Sequence, residues 1–171
     1  MIYYYRGMSA LDLLTGEIAI DPSIGLFGEH KELFANYFIA LKSLCDTGFE
    51  FNVVDTYTNP LSRIVGWSLR DLADATVDFS PNYDDAASYA MNFAGSQLKH
   101  NLRIIVDTLP VKLKLTDEVK NILYRETKRP HIPVVLKVCG ERAEFTATEF
   151  DDVMKLINLL PYSSIEEIIE L

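Results

Sequence analysis

The sequence predicts an α+β fold, built from short strand-like segments and longer helical ones. Three observations carry this. Residues 29–45 place Leu33, Phe34, Tyr37, Phe38, Leu41, Leu44 and Cys45 on one apolar stripe at helical spacing. Residues 76–90 read as a strand ending in Ser80, a turn at Pro81-Asn82 and a helix starting near Tyr83. Residues 134–139, apolar except for Lys137, have the pattern of a buried strand.

The remaining elements follow in order. Residues 2–6 are aromatic and strand-like. Gly7 permits a tight exit, and Ser9 suits the cap of a short helix over residues 10–15 that stops at Gly16. Residues 17–24 are extended or irregular, and residues 25–28 form a glycine-bracketed loop containing Phe27. Residues 49–55 suit a strand, residues 57–60 a turn, and residues 61–73 a helix with Leu61, Ile64, Val65, Leu69 and Leu72 as its apolar side. Residues 102–107 and 111–115 are strand-like. Thr116 suits the cap of a helix over residues 117–127. Residues 141–145 alternate, and residues 153–159 form another apolar strand. Residues 165–171 fit either strand or helix after a turn at Pro161.

At 171 residues with no internal repeat, the chain reads as one domain spanning residues 1–171. Hydrophobic residues at 49% and charged residues at 24% are the balance of an ordinary soluble protein. No apolar run is long enough to cross a bilayer, and the first residues lack a signal peptide's basic region, so a cytoplasmic location and no membrane partner are expected. A net charge of −9 argues against nucleic acid as a direct partner and fits a protein or small-molecule partner. Cys45 and Cys139 read as small buried hydrophobes, and His30, His100 and His131 lack metal-ligand spacing, so no metal is expected. The phosphate-loop, dinucleotide and serine-hydrolase signatures are missing from the sequence.

Three stations stand out for chemistry. Arg6-Gly7 closes the first strand, where a planar guanidinium suits phosphate; the plainer reading is a surface arginine lying over its aromatic neighbours. Ser80 ends a strand just before a helix, where free N–H groups suit a phosphate-bearing ligand; alternatively it satisfies the helix N-terminus. Glu149, Asp151 and Asp152 precede a late strand, where carboxylates suit a cationic transition state; otherwise they form an acidic loop.

Arg6-Gly7, then Phe79-Ser80-Pro81 leading into Ala86-Ala87-Ser88-Tyr89-Ala90, then the strand at residues 134–138, then the late acidic station and the tail at residues 160–168 together resemble the ADP-ribosyltransferase fold family. Tyr5-Arg6-Gly7-Met8-Ser9 and the Gly25-Leu26-Phe27-Gly28 loop with His30 are similar to its small phage-encoded anti-CRISPR branch, which has His where Arg6 stands. The resemblance implies two small, mostly antiparallel sheets meeting at an NAD cleft with flanking helices. It implies transfer of ADP-ribose from NAD to a host protein, such as a host defence complex, in the host cytoplasm. On it, Arg6 and Gly7 meet the pyrophosphate or adenosine ribose and Ser80 braces the ribose. Tyr83 or Tyr89 stacks on nicotinamide, and Phe27 sits in a loop close to the ligand. Asp151 or Asp152 stabilises the cation while Glu149 orients the nucleophile. Two other readings compete: a non-catalytic acidic protein that inhibits a host nucleic-acid-binding complex, and an NAD-cleaving toxin with no protein acceptor.

Overall fold

The computed structural model describes residues 1–24, 28–47, 60–74, 76–93, 97–107, 117–149 and 153–171. Among them are five α-helices and three small antiparallel sheets, a mixed α+β architecture. The chain divides into two units. One gathers residues 1–26, 75–96 and 130–171; the other gathers residues 27–74 and 97–129.

Among the described residues, the first unit holds every strand. β1 (Tyr3–Ser9) pairs antiparallel with β4 (Pro133–Cys139), from Tyr3 opposite Cys139 to Ser9 opposite Pro133. β4 pairs in turn with β8 (Ile165–Glu170), so β4 is the central strand, and its run of buried valine and leucine reflects that place. A second sheet has β3 (Val77–Phe79) beside β6 (Met154–Leu156) and β6 beside β5 (Phe145–Ala147). β2 (Ile18–Ile20) and β7 (Leu160–Pro161) form a two-stranded ribbon. One core serves all three sheets: Met8, Leu136 and Val138, Phe79 and Leu156, Ile20 and Leu160 pack together. Each such side chain contributes about 1.5–3 kcal/mol through burial.

Two local features shape this unit. The helix α3 (Tyr83–Asn92) lies directly on the backbone of β1. A Cβ at Gly7 would stand 1.8 Å from the Ala86 carbonyl oxygen and 2.7 Å from the Ala90 nitrogen. Only glycine admits this approach, and Ala86 and Ala90 are the buried side of the helix. Ser9 caps a three-residue 3-10 turn, Ala10–Asp12, shorter than the helix expected over residues 10–15. Its buried hydroxyl accepts from Leu11 N and from Ile132 N, tying β1 to the approach of β4.

The described residues of the second unit are mainly helical. α1 (Lys31–Asp46) buries Phe34, Tyr37, Phe38 and Leu41, and α2 (Leu61–Ala73) buries Leu61, Ile64, Val65, Ser68 and Leu72, both at helical spacing. α1 packs on α2, α2 on α4 (Gln97–Asp107), and α4 on α5 (Asp117–Lys128). α4 corrects the strand expected over residues 102–107. Leu102, Ile105 and Val106 are all buried, an i, i+3, i+4 set that only a helix turns to one side. Asn101, fully buried, donates to Ser68 Oγ, and Ser68 donates to Ile64 O. Cys139 is buried, whereas Cys45 is only half-buried, with its thiol pushed up by desolvation and by Asp46. The strands expected over residues 49–55 and 111–115 and the cap at Thr116 lie outside the described residues.

Candidate functional site

Residues 75 positions apart meet where the two larger sheets join. Tyr5 and Ser80 form an antiparallel bridge, Tyr5 N donating to Ser80 O at 2.7 Å and Ser80 N to Tyr5 O at 2.8 Å. Continuing that ladder would set Gly7 against Asp78. It does not continue; instead Arg6 Nη1 donates to the Asp78 carbonyl at 2.7 Å. The guanidinium thus supplies a donor to a backbone oxygen where the strands part.

The pleat explains why Arg6 lies there. Tyr4, Arg6 and Met8 share one face of β1, and Arg6 stands opposite Leu136 in the core row. Arg6 is the one polar side chain in that apolar row of β1. Burial holds its guanidinium below arginine's usual range, while the fields of Asp78, Asp12 and Tyr89 oppose the shift. Its Nε is buried with no hydrogen-bond partner among the described residues.

Ser80 is engaged by its own turn. Its hydroxyl accepts from Asn82 N at 3.0 Å and donates to Asp85 Oδ2 at 3.4 Å. Asn82 is the N-cap of α3, its side chain accepting from Asp84 N. Asp84 and Asp85 then sit in the first turn, where the helix dipole favours carboxylates. Tyr83, half-buried, places its ring edge-on to Tyr5, with centroids 5.8 Å apart. Tyr89 is exposed and its ring lies 5.0 Å from that of Phe93.

β6 pairs with β3 so that Met154 faces Phe79, which sets Val153 at the Ser80 end of β3. Thr148 Oγ1 donates to Val153 O at 3.0 Å and closes the hairpin between β5 and β6. Glu149 is exposed in that hairpin. Asp151, Asp152 and Phe27 lie outside the described residues.

Arg6, Gly7, Ser80 and Tyr83 are therefore neighbours, and Glu149 belongs to a hairpin that closes toward the same end of β3. Gly7 serves the helix: α3 fills the space above it. The sequence places Asp84 and Asp85 in the first turn of that helix, as found, but the sequence reading gave no role to Asp78 or to the side chain of Asn82. Pro81-Asn82 before Tyr83-Asp84-Asp85 carries an N-cap signature that marks Asn82, whereas the Asp78 role rests on its carbonyl and leaves no side-chain signal. Among the described residues, no three His, Cys, Asp or Glu side chains gather as a metal site.

Chemically, the junction offers the Arg6 cation, the Ser80 hydroxyl held by Asp85, and Asp84 beside it at the helix start. Such a set suits a ligand with an anionic part and a centre that becomes positive as it reacts. No protein-family model, curated protein or solved structure matches the chain.

Proposed function

We propose that the strand-bearing unit binds NAD at the Arg6–Ser80 junction and transfers ADP-ribose to a protein. The observation that carries this reading is the Tyr5–Ser80 bridge, which brings the first two sequence stations side by side. The hairpin that closes beside the end of β3, with Glu149 in its turn, adds support.

In the reaction, the nicotinamide–ribose bond breaks and its electron pair leaves with nicotinamide. The acceptor's nucleophile bonds to the ribose carbon, and its proton passes to a carboxylate. The intervening state is oxocarbenium-like, so negative charge near the ribose accelerates the step. In this scheme Arg6 takes the pyrophosphate through its planar fork, with Ser80 against the ribose. Tyr83 or Tyr89 stacks on nicotinamide. Asp151 or Asp152 stabilises the cation and Glu149 orients the acceptor.

Incubation of the protein with labelled NAD and a cell lysate tests this. A discrete labelled protein is expected, lost with Asp151→Ala or Asp152→Ala and with Arg6→Ala, while circular dichroism of each variant stays that of the parent. Nicotinamide release with no labelled protein would replace transfer by hydrolysis. Neither release nor labelling would end the enzymatic reading.

A further inference from the structure

The net charge of the chain is unevenly placed. The strand-bearing unit holds only four basic side chains, Arg6, Lys137, Arg142 and Lys155, against fourteen carboxylates. Arg6, Lys137 and Arg142 have partners within the unit. Arg6 donates to Asp78 O, Lys137 lies 4.4 Å from the centre of the Tyr3 ring, and Arg142 pairs with Glu166 at 3.0 Å.

β8 is the outer strand of its sheet, paired among the described residues with β4 alone. One row of its backbone N–H and C=O groups therefore faces away from the sheet, a template for another strand. Glu166, Glu167, Ile168 and Glu170 are exposed along it. Ile168 stands opposite buried Leu136, so it prolongs the core-side row out to the open edge. Glu167 stands opposite Lys137, and Glu170 opposite Val134.

We infer that β8 is a docking edge for an extended, basic segment of a partner protein, which adds to the sheet as an outer strand. Backbone hydrogen bonds supply the general attraction, and the side chains of β8 select the sequence. The occupant follows from charge. A second copy pairing antiparallel about Ile168 would set Glu166 against Glu170, and like charges directly opposite are destabilising. A lysine-bearing strand meets three glutamates in a unit that is acidic throughout. This inference does not depend on NAD, and either reading stands if the other fails.

The test uses the full chain and a synthetic extended peptide. The peptide places lysine opposite Glu166, Glu167 and Glu170 and valine opposite Ile168 and Ile169; a control replaces each lysine by glutamate. The lysine peptide is expected to protect the amides of residues 165–170 from hydrogen exchange, with affinity that falls as salt rises. Glu167→Lys with Glu170→Lys is expected to weaken it about tenfold or more, from two reversed cross-strand pairs. Should that variant fail to fold, the glutamate peptide on the parent protein decides the matter. Absence of protection by the lysine peptide, equal protection by both peptides, or concentration-dependent self-association that protects the same amides would each overturn the inference.

Discussion

Gly7→Ala is the sharpest test of how the strand-bearing unit is assembled. The added methyl would meet the Ala86 carbonyl oxygen at 1.8 Å, and ordinary van der Waals contact begins near 3.4 Å. The obstructing atoms are helix backbone, so no side-chain rotation relieves the clash. α3 must lift away from β1, and Ala86 and Ala90 lose their burial as it does. Overpacking a close-packed site costs about 1–3 kcal/mol, and a rigid neighbour puts this position at the upper end. At about 3 kcal/mol, with roughly 2–4 °C per kcal/mol for a chain of this length, the melting temperature should fall by about 6–12 °C. Urea titration followed by circular dichroism measures the loss at equilibrium. Because Asn82 and Ser80 lead into α3, the NAD-dependent labelling proposed above should weaken in the same variant. A Gly7→Ala protein within about 0.5 kcal/mol of the parent would refute the packing argument, because that is the range of an ordinary surface change.

Other expectations follow from single groups. The Tyr37 hydroxyl is buried with no hydrogen-bond partner among the described residues, and desolvation raises its pKa well above tyrosine's usual value. Tyr37→Phe should therefore be neutral or stabilising by about 1 kcal/mol in urea titration at neutral pH. The raised pKa means that the native state keeps this proton when the unfolded chain gives it up. The contribution is complete below about pH 10 and is lost above it, at a slope of about 1.4 kcal/mol per pH unit. Tyr37→Phe should flatten that alkaline loss; an unchanged profile would show that Tyr37 is solvated. Ser9→Ala removes the acceptor of two backbone N–H groups and should cost about 1–2 kcal/mol in the same titration. Asn82→Ala removes the cap of α3 and should cost about 1 kcal/mol.

How much of this was legible depended on the kind of interaction. α1 and α2 were visible because one side of each is apolar at helical spacing, and burial followed that stripe at Phe34, Phe38, Ile64 and Val65. β4 was visible as an apolar run broken only by Lys137, because it is covered on both faces. The same reasoning failed at α4. Ile104-Ile105-Val106 has the β-branched composition of a strand, yet packing against α2 and α5 makes it helical. β8 was left between strand and helix because six residues with three glutamates satisfy either period; pairing with β4 decides it. At the site, residue types that carry ligand chemistry marked Arg6 and Ser80, and the bridge between their strands made them neighbours. The contact of Arg6 with Asp78 runs through a carbonyl that every residue possesses, so no sequence pattern announces it. Gly7 was read as a turn residue and as a ligand neighbour, because a helix arriving from residues 83–92 is invisible at position 7.

The interleaving of the two units has a consequence for biosynthesis. β1 is made first, but its partner β4 begins at residue 133, after both helical segments have been made. Contacts this distant are slow to form, since the loop between them must close before any reward arrives. The tyrosine-rich first strand therefore waits on the ribosome with open edges while α1 and α2 gather ahead of it. A nascent chain arrested before residue 139 should contain helix without the β1–β4 ladder, and it should be the stage most in need of a chaperone.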